Sequence, residues 1–316
     1  MKERGYPNKE FRKLVEYSNE ARENKRIKFY EHKKPREINW NAYTLSQIRE
    51  AKEMLLFIKN AVENCILPKK KAGRPTNYKN LAKAVLICES LGFTERKAQG
   101  WLEIIGPFAG IYEKLDDRVI GNAYNKPEVA FILKQIFDKN KTSDGKLMGD
   151  GSGLETSRKQ NYGINKKSTK EFLTSIVDSR EIVQVFDFSG RDESKAMHEL
   201  IENIDGNSLA LDAGFNDREL VRKIVEKNII PYVYPKKSNR INGGNGWTEM
   251  YLDFFTDVIA WLTEYYQRVH CESFHSAFKR VYGIISKIRV HSKFVQVSAR
   301  IILHNRARLS YFEKIK

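Results

Sequence analysis

With 316 residues the chain is long enough for about two domains with separate cores, and its 41% hydrophobic and 11% aromatic content argues against a disordered tail. Its 56 Lys and Arg against 40 Asp and Glu leave a net charge of +16, which favours polyanionic partners, nucleic acid ahead of anionic membrane. No apolar run approaches the ~18 residues that span a bilayer, and the charged start has no apolar core behind it and does not read as a signal peptide. Cys65, Cys88 and Cys271 form neither a disulfide framework nor a CxxC site, so a reducing intracellular compartment is expected.

Residues 1–40 hold twelve Lys and Arg against seven Glu, a basic arm of charge +5 that reads as helical or partly disordered. Lys69, Lys70 and Lys71 then lead into Ala72-Gly73-Arg74-Pro75, a basic linker suited to reaching into a groove. A helix-turn-helix follows around 77–105. Asn77 or Thr76 can cap a helix in which Leu81, Val85, Cys88 and Leu91 recur at spacings of 4, 3 and 3. Gly92-Phe93 turns the chain, and Thr94 caps a second helix. That helix is expected to carry Arg96, Lys97 and Gln99 outward, with Ala98, Trp101 and Leu102 inward. It reads equally as a DNA-reading helix or as half of an ordinary helical hairpin.

Pro127 starts a helix that runs to about Asp138, and Asn140 to Gly145 reads as a linker. The pattern then turns to strands. Lys146–Gly153 is a short strand; Phe172–Asp178 and Glu181–Asp187 are β-rich runs joined through Ser179-Arg180. A helix over Glu193–Ile204, a strand over Ser208–Asp212, a helix over Asp217–Lys227 and a strand over Ile229–Tyr234 complete the alternation. Helical pattern dominates from Thr248 onward, with a break at Gly283. One helix spanning that first stretch would be long for a globular domain, so it is expected to be bent or split. Three antiparallel strands followed by alternating helix and strand predict an α/β fold: an RNase H-like mixed sheet flanked by helices at 141–316, behind an all-α DNA-binding region at 1–140.

Within the last helical stretch, Tyr265, Arg268, Glu272 and Lys279 stand at intervals of 3, 4 and 7. At about 100° per residue they fall inside one stripe roughly 60° wide. A solvated face with an ordinary Arg268–Glu272 pair is the plain alternative. Two further acids bear on the choice. Asp150 lies in Gly149-Asp150-Gly151-Ser152-Gly153 on the first strand, and Asp212 ends the fourth, ahead of Ala213-Gly214-Phe215. Acids at the carboxyl edge of an α/β sheet stand where such folds bind ligands. In an RNase H-like order the first and fourth strands are neighbours, which would bring Asp150 and Asp212 side by side with Glu272 across them. Three carboxylates converging on one point call for cations, and hard oxygen donors suit Mg²⁺ or Mn²⁺. Two such ions ~3.5–4 Å apart form the clamp that cuts and joins phosphodiesters. Asp178, Asp187, Asp192, Asp205 and Asp217 read instead as strand-end, turn and cap residues. His270 and His275 read as packed or solvated.

These motifs together resemble a DDE transposase of prokaryotic insertion sequences, in the group whose third motif is Tyr-(2)-Arg-(3)-Glu-(6)-Lys; every interval is intact at Tyr265, Arg268, Glu272 and Lys279. Asp-Gly-Ser-Gly at Asp150 resembles the family's first motif and Asp-Ala-Gly-Phe at Asp212 its second. Weaker echoes are Tyr234-Pro235-Lys236-Lys237-Ser238-Asn239 and Leu303-His304-Asn305-Arg306. The resemblance covers 145–316; the preceding half matches only in kind. It implies Asp150, Asp212 and Glu272 as catalytic ligands of two Mg²⁺ or Mn²⁺ ions. It further implies DNA contacts from Tyr265, Arg268 and Lys279, with Lys69, Lys70, Lys71, Arg74, Arg96, Lys97, Gln99, Lys236 and Lys237 as further candidates. The implied partners are double-stranded DNA, as element ends and target, and a second copy of the chain. The implied setting is the nucleoid of a prokaryotic cytoplasm. A catalytically silent DNA-binding derivative and a nuclease that only hydrolyses are the alternatives. Only 59 residues separate Asp212 from Glu272, so no large β-rich insertion is expected between them.

Overall fold

The computed structural model describes residues 12, 13, 15, 16, 19, 20, 38–67, 77–157, 170–190, 192–236, 239, 244 and 246–315. Most of the basic arm, together with Lys69, Lys70, Lys71, Arg74 and Lys237, lies outside them. Five helices come first: α1 (Trp40–Glu63), α2 (Tyr78–Leu91), α3 (Glu95–Ile105), α4 (Asp117–Ala123) and α5 (Pro127–Asn140). Asn77 is the cap of α2, its side chain accepting from the Asn80 amide, and Gly92 ends that helix at φ 62°. Every residue from Asn80 to Glu89 is buried. α2 is therefore the central rod of a helical bundle, with α1, α4 and α5 around it.

The helix expected to read DNA departs from its predicted facing. Ala98 and Leu102 are buried as expected, but Trp101 is 48% exposed and stacks on Phe93 with ring centroids 5.6 Å apart. Gln99 turns toward α4, where its Oε1 accepts from the Asp117 amide at 3.0 Å. α4 packs against the Gln99 side of the buried line, which leaves Trp101 on the opposite rim. Thr94 holds the N-cap position of α3 but makes no side-chain cap bond.

The sheet has the order β3-β2-β1-β4-β5. β1 (Lys146–Glu155), β2 (Lys170–Asp178) and β3 (Val183–Asp187) are antiparallel neighbours, while β4 (Ser208–Leu211) runs parallel to β1 and β5 (Ile230–Val233) parallel to β4. Helices α6 (Glu193–Ile201) and α7 (Arg218–Glu226) cover one face, with Leu147, Ile176, Leu209, Leu211 and Val233 turned toward them. Met148, Leu173, Val177 and Ala210 alternate to the other face, against Cys271, Phe274 and Phe278. Several edges differ from the expected ones. β1 continues to Glu155, α6 stops at Ile201, and β4 stops at Leu211, so Asp212 begins a short 3-10 turn (Ala213–Phe215). β3 begins at Val183 because Glu181 has φ 66°, a left-handed backbone that cannot continue a strand. The rival acids have local work: Asp192 and Asp217 cap α6 and α7, and the Asp178 carboxylate accepts from the Arg180 and Ile182 amides in the β2–β3 turn.

The last helical stretch is split, as its length suggested. α8 (Trp247–Thr256) and α9 (Val258–Tyr265) meet at Asp257, whose carboxylate caps α9. A 3-10 turn over Tyr266–Arg268 leads into α10 (Val269–Tyr282), and α11 (Val290–Ile315) closes the chain. Among the described residues no strand intervenes between β5 and α10. α11 packs on both regions: Val295, Ala299, Ile302 and Leu303 join the helical core, while Val297 and Ile301 join the sheet core. Asn305 pairs with the edge of β3, its Oδ1 accepting from the Val183 amide at 2.8 Å and its Nδ2 donating to the Val183 carbonyl at 2.9 Å. Among the described residues no helix is long and apolar enough to cross a membrane.

Candidate active site

The parallel pairing of β1 with β4 sets Gly149 opposite Leu211. Asp150 and Asp212 each stand one residue beyond that pair, on the face that α10 covers. Glycine at the two flanking positions of β1 lets side chains of β4 and α6 lie close against the strand. A Cβ at Gly149 would come within 2.6 Å of Leu211 Cδ2 and 2.9 Å of Met197 Cε, and one at Gly151 within 2.5 Å of the Glu193 carboxyl. Small residues facing α6 thus let the strand carry an acid on its other face while the helix lies close behind.

Asp150, Asp212 and Glu272 come together around Arg268. The guanidinium Nη2 is 2.6 Å from Glu272 Oε1 and 3.9 Å from Asp212 Oδ1, while Nη1 is 3.6 Å from Asp150 Oδ2. The Arg268 and Asp150 side chains are 20% and 23% exposed, whereas Asp212 and Glu272 are about half exposed at 46% and 50%. The group is thus walled on the sheet side and open on the other. Burial pushes the Asp150 carboxyl up to about 6; the Gly151 amide and Arg268 oppose that shift, and Asp212 and Glu272 add to it. Burial acts to lower Arg268, but Tyr265, Glu272, Asp212 and Asp150 outweigh it and raise the guanidinium. Among the described residues no three His, Cys, Asp or Glu side chains stand close enough to hold a metal ion; the guanidinium lies between these three.

Two further residues on α10 shape the wall. Lys279 Nζ donates to Ser152 Oγ at 2.7 Å, on the same face of β1 as Asp150. His275 is buried, with Nε2 at 3.4 Å from the Asp150 carbonyl and 3.3 Å from Ser175 Oγ. Burial depresses its pKa to about 4, so it is neutral, and its Nδ1 has no partner. The sequence placed His275 among packed residues and gave no sign of this contact, because Ser175 and Asp150 reach it only through the β1–β2 register.

The predicted stripe is broken at its start. Tyr265 ends α9, Arg268 sits in the 3-10 turn, and only Glu272 and Lys279 share α10. Tyr265 is buried, stacked on Trp261 at 5.4 Å and beside Tyr234 at 5.3 Å, and so does not present its ring to an open surface. Arg96 and Lys97 are exposed on α3, far along the chain from the carboxylates, and Arg96 is 3.5 Å from Asp117. Lys236 is exposed just after β5. A cleft of about 940 Å³ lies away from the triad, along β5, lined by Tyr232 and Trp261 with Glu249, Asp253, Asp257 and Glu264. Four carboxylates make that cleft a poor seat for a polyanion. Comparison with known proteins finds no family model, no curated protein and no solved structure that matches the chain.

Proposed function

We propose that the chain is a DDE transposase: a DNA-strand-cleaving and strand-joining enzyme built on an RNase H-like sheet, acting on double-stranded element ends. The observation that carries this reading is the convergence of Asp150, Asp212 and Glu272 from β1, the end of β4 and α10 on a single guanidinium. The strand order β3-β2-β1-β4-β5, with the first three strands antiparallel, supports the fold assignment.

The donor chemistry suits a divalent metal, once the guanidinium that stands among the three carboxylates moves aside and lets them close. All three groups are hard carboxylate oxygens, they converge from separate elements, and a cationic group already lies within 4 Å of each. When bound by these three carboxylates, Mg²⁺ or Mn²⁺ ions would supply activation of the attacking hydroxyl and stabilisation of the leaving oxygen. The rest is work for the chain itself. The Gly151 amide fixes Asp150 Oδ1 at 2.9 Å, and neutral His275 holds the Asp150 backbone without adding charge to the cleft. Lys279, tethered to Ser152, offers a cation to the phosphate backbone beside the carboxylates. The +16 surplus draws the DNA in. Joining two ends calls for two copies of the chain on one DNA complex.

Asp150→Asn tests the assignment. It keeps the shape of the side chain but removes a ligand, so cleavage of a cognate DNA end should fall by roughly 10³-fold or more, while DNA binding in a gel-shift assay persists. Wild-type cleavage rates in that variant would remove Asp150 from the site.

A further inference from the structure

Arg268 and Glu272 are four residues apart, and such a pair is ordinarily a local ornament of one helix. Here the geometry is different. Arg268 belongs to the 3-10 turn before α10, and its guanidinium also faces carboxylates on β1 and just after β4, more than fifty residues upstream. Only an Arg fork presents several N–H donors in one plane, so that one side chain can address three acids at once. One positive charge set among three carboxylates leaves the group under-compensated, and the open side exposes Asp212 and Glu272 to incoming cations. The guanidinium stands among the carboxylates that would hold a divalent ion.

We propose that Arg268 is a displaceable counter-ion of the carboxylate triad: it holds Asp150, Asp212 and Glu272 together before metal enters and gives up Glu272 as metal arrives, so that arginine release and metal uptake are one exchange. This inference rests on the reading of the triad as a metal site. Two like-charged groups do not share so small a volume, so the guanidinium must leave the 2.6 Å contact with Glu272 when the carboxylate turns to a metal. Its turn opens toward the exposed side of the cleft, where a DNA phosphate is the obvious anion to receive it. The exchange gives the site an order of events. Arg268 meets the backbone only after the carboxylates are loaded, and before that it guards them against mutual repulsion. Arg268 acts on the reaction through these carboxylates, as a positioning residue.

The test uses the full chain without DNA, titrated with Mn²⁺ and followed by calorimetry and by thermal unfolding. Arg268→Gln removes the competing charge, so its metal midpoint should fall by about tenfold or more relative to wild type, while its metal-free melting temperature drops. Arg268→Lys, still charged but without the fork, should fall between the two. A salt bridge with a merely structural role would lower the metal-free melting temperature and leave the midpoint where it was. Equal midpoints in wild type and Arg268→Gln, with binding evident in both, therefore overturn the exchange while leaving the metal site standing. Absence of Mn²⁺ binding in both proteins would overturn the metal site itself and the exchange with it. The wild-type protein gives an independent reading should the Gln variant not fold. In arginine-selective NMR, assigned with the Arg268→Lys spectrum, the Arg268 Nε–H signal should move over the same Mg²⁺ range that saturates binding. An unmoved signal at saturation overturns the exchange.

Discussion

Two of the arginine–carboxylate assemblies in the molecule are built to opposite ends. In the first, Glu89 of α2 and Arg300 of α11 are each 7% exposed and meet at 2.7 Å. Tyr124 donates to Glu89 at 2.7 Å, Gln296 donates to both its oxygens, and Gln296 Oε1 accepts from the Ser286 and Lys287 amides. One charge meets one charge, and every lone pair is used. In the second, Arg268 faces three carboxylates, two of them about half exposed, and charge is left over. The closed assembly ties the helical region to the sheet through α11. The open one joins β1, the residue after β4 and α10, and leaves two of its acids exposed on one side. An ion pair thus reads as structural when its charges and hydrogen bonds are balanced, and as a site when they are not.

The largest break in the comparison comes from removing one acid from each. Glu89→Ala strands a buried guanidinium and should cost about 3–5 kcal/mol of stability, read by urea unfolding. Asp150→Asn should do the opposite to stability while abolishing cleavage. It replaces a desolvated carboxylate that faces two like charges, so the metal-free protein should unfold at the same denaturant concentration or a higher one. A loss as large as that of Glu89→Ala would mean that the triad, too, is a closed structural network.

How much of this was visible beforehand follows from the range of each interaction. Asp150 and Asp212 could be placed because strand alternation and a following glycine are local signals, and because neighbouring first and fourth strands then bring the two together. The group's centre could not be seen. Sequence spacing put Arg268 on a helix stripe beside Glu272, whereas the chain tightens into a 3-10 turn at Tyr266–Arg268 and swings the guanidinium inward. Tyr265 leaves the stripe for a related reason: Trp261 and Tyr234 draw its ring into an aromatic cluster, and Tyr234 comes from beyond β5. Trp101 shows the same limit on α3, where the side on which α4 packs decides which rim is covered. The helical pattern after Gly283 gives no sign that the last helix serves two cores, because its buried positions split between faces that only the tertiary structure distinguishes.

A smaller effect is read by pH, in a window that buried His304 shares with His275 of the cleft. His304 on α11 is buried against the Glu181 carbonyl at 2.9 Å, and burial depresses its pKa from 6.5 to about 4. A group whose folded pKa is lowered takes up its proton first in the unfolded chain. Its contribution to stability is therefore complete above pH 6.5, and it erodes as pH falls toward 4, by up to about 3 kcal/mol. His304→Gln should flatten the wild-type slope of stability against pH across that window. An unchanged slope would show that the imidazole is protonated in the folded protein.

The smallest expected effect lies at the rim of the cleft, where exposed Lys279 donates to Ser152 Oγ. Removing an exposed cation should leave folding within about 0.5 kcal/mol of wild type. DNA affinity should still fall, because each neutralised phosphate releases counterions. Lys279→Ala should reduce the slope of log affinity against log salt by roughly 0.9, one phosphate's worth. Arg96→Ala, on the partly apolar surface of α3, provides the matched measurement for the helical region. Equal losses of slope would place both surfaces on the same DNA. A loss at Lys279 alone would leave the cleft as the DNA-bearing surface and make the exposed Trp101 rim of α3 a face for something other than the phosphate backbone.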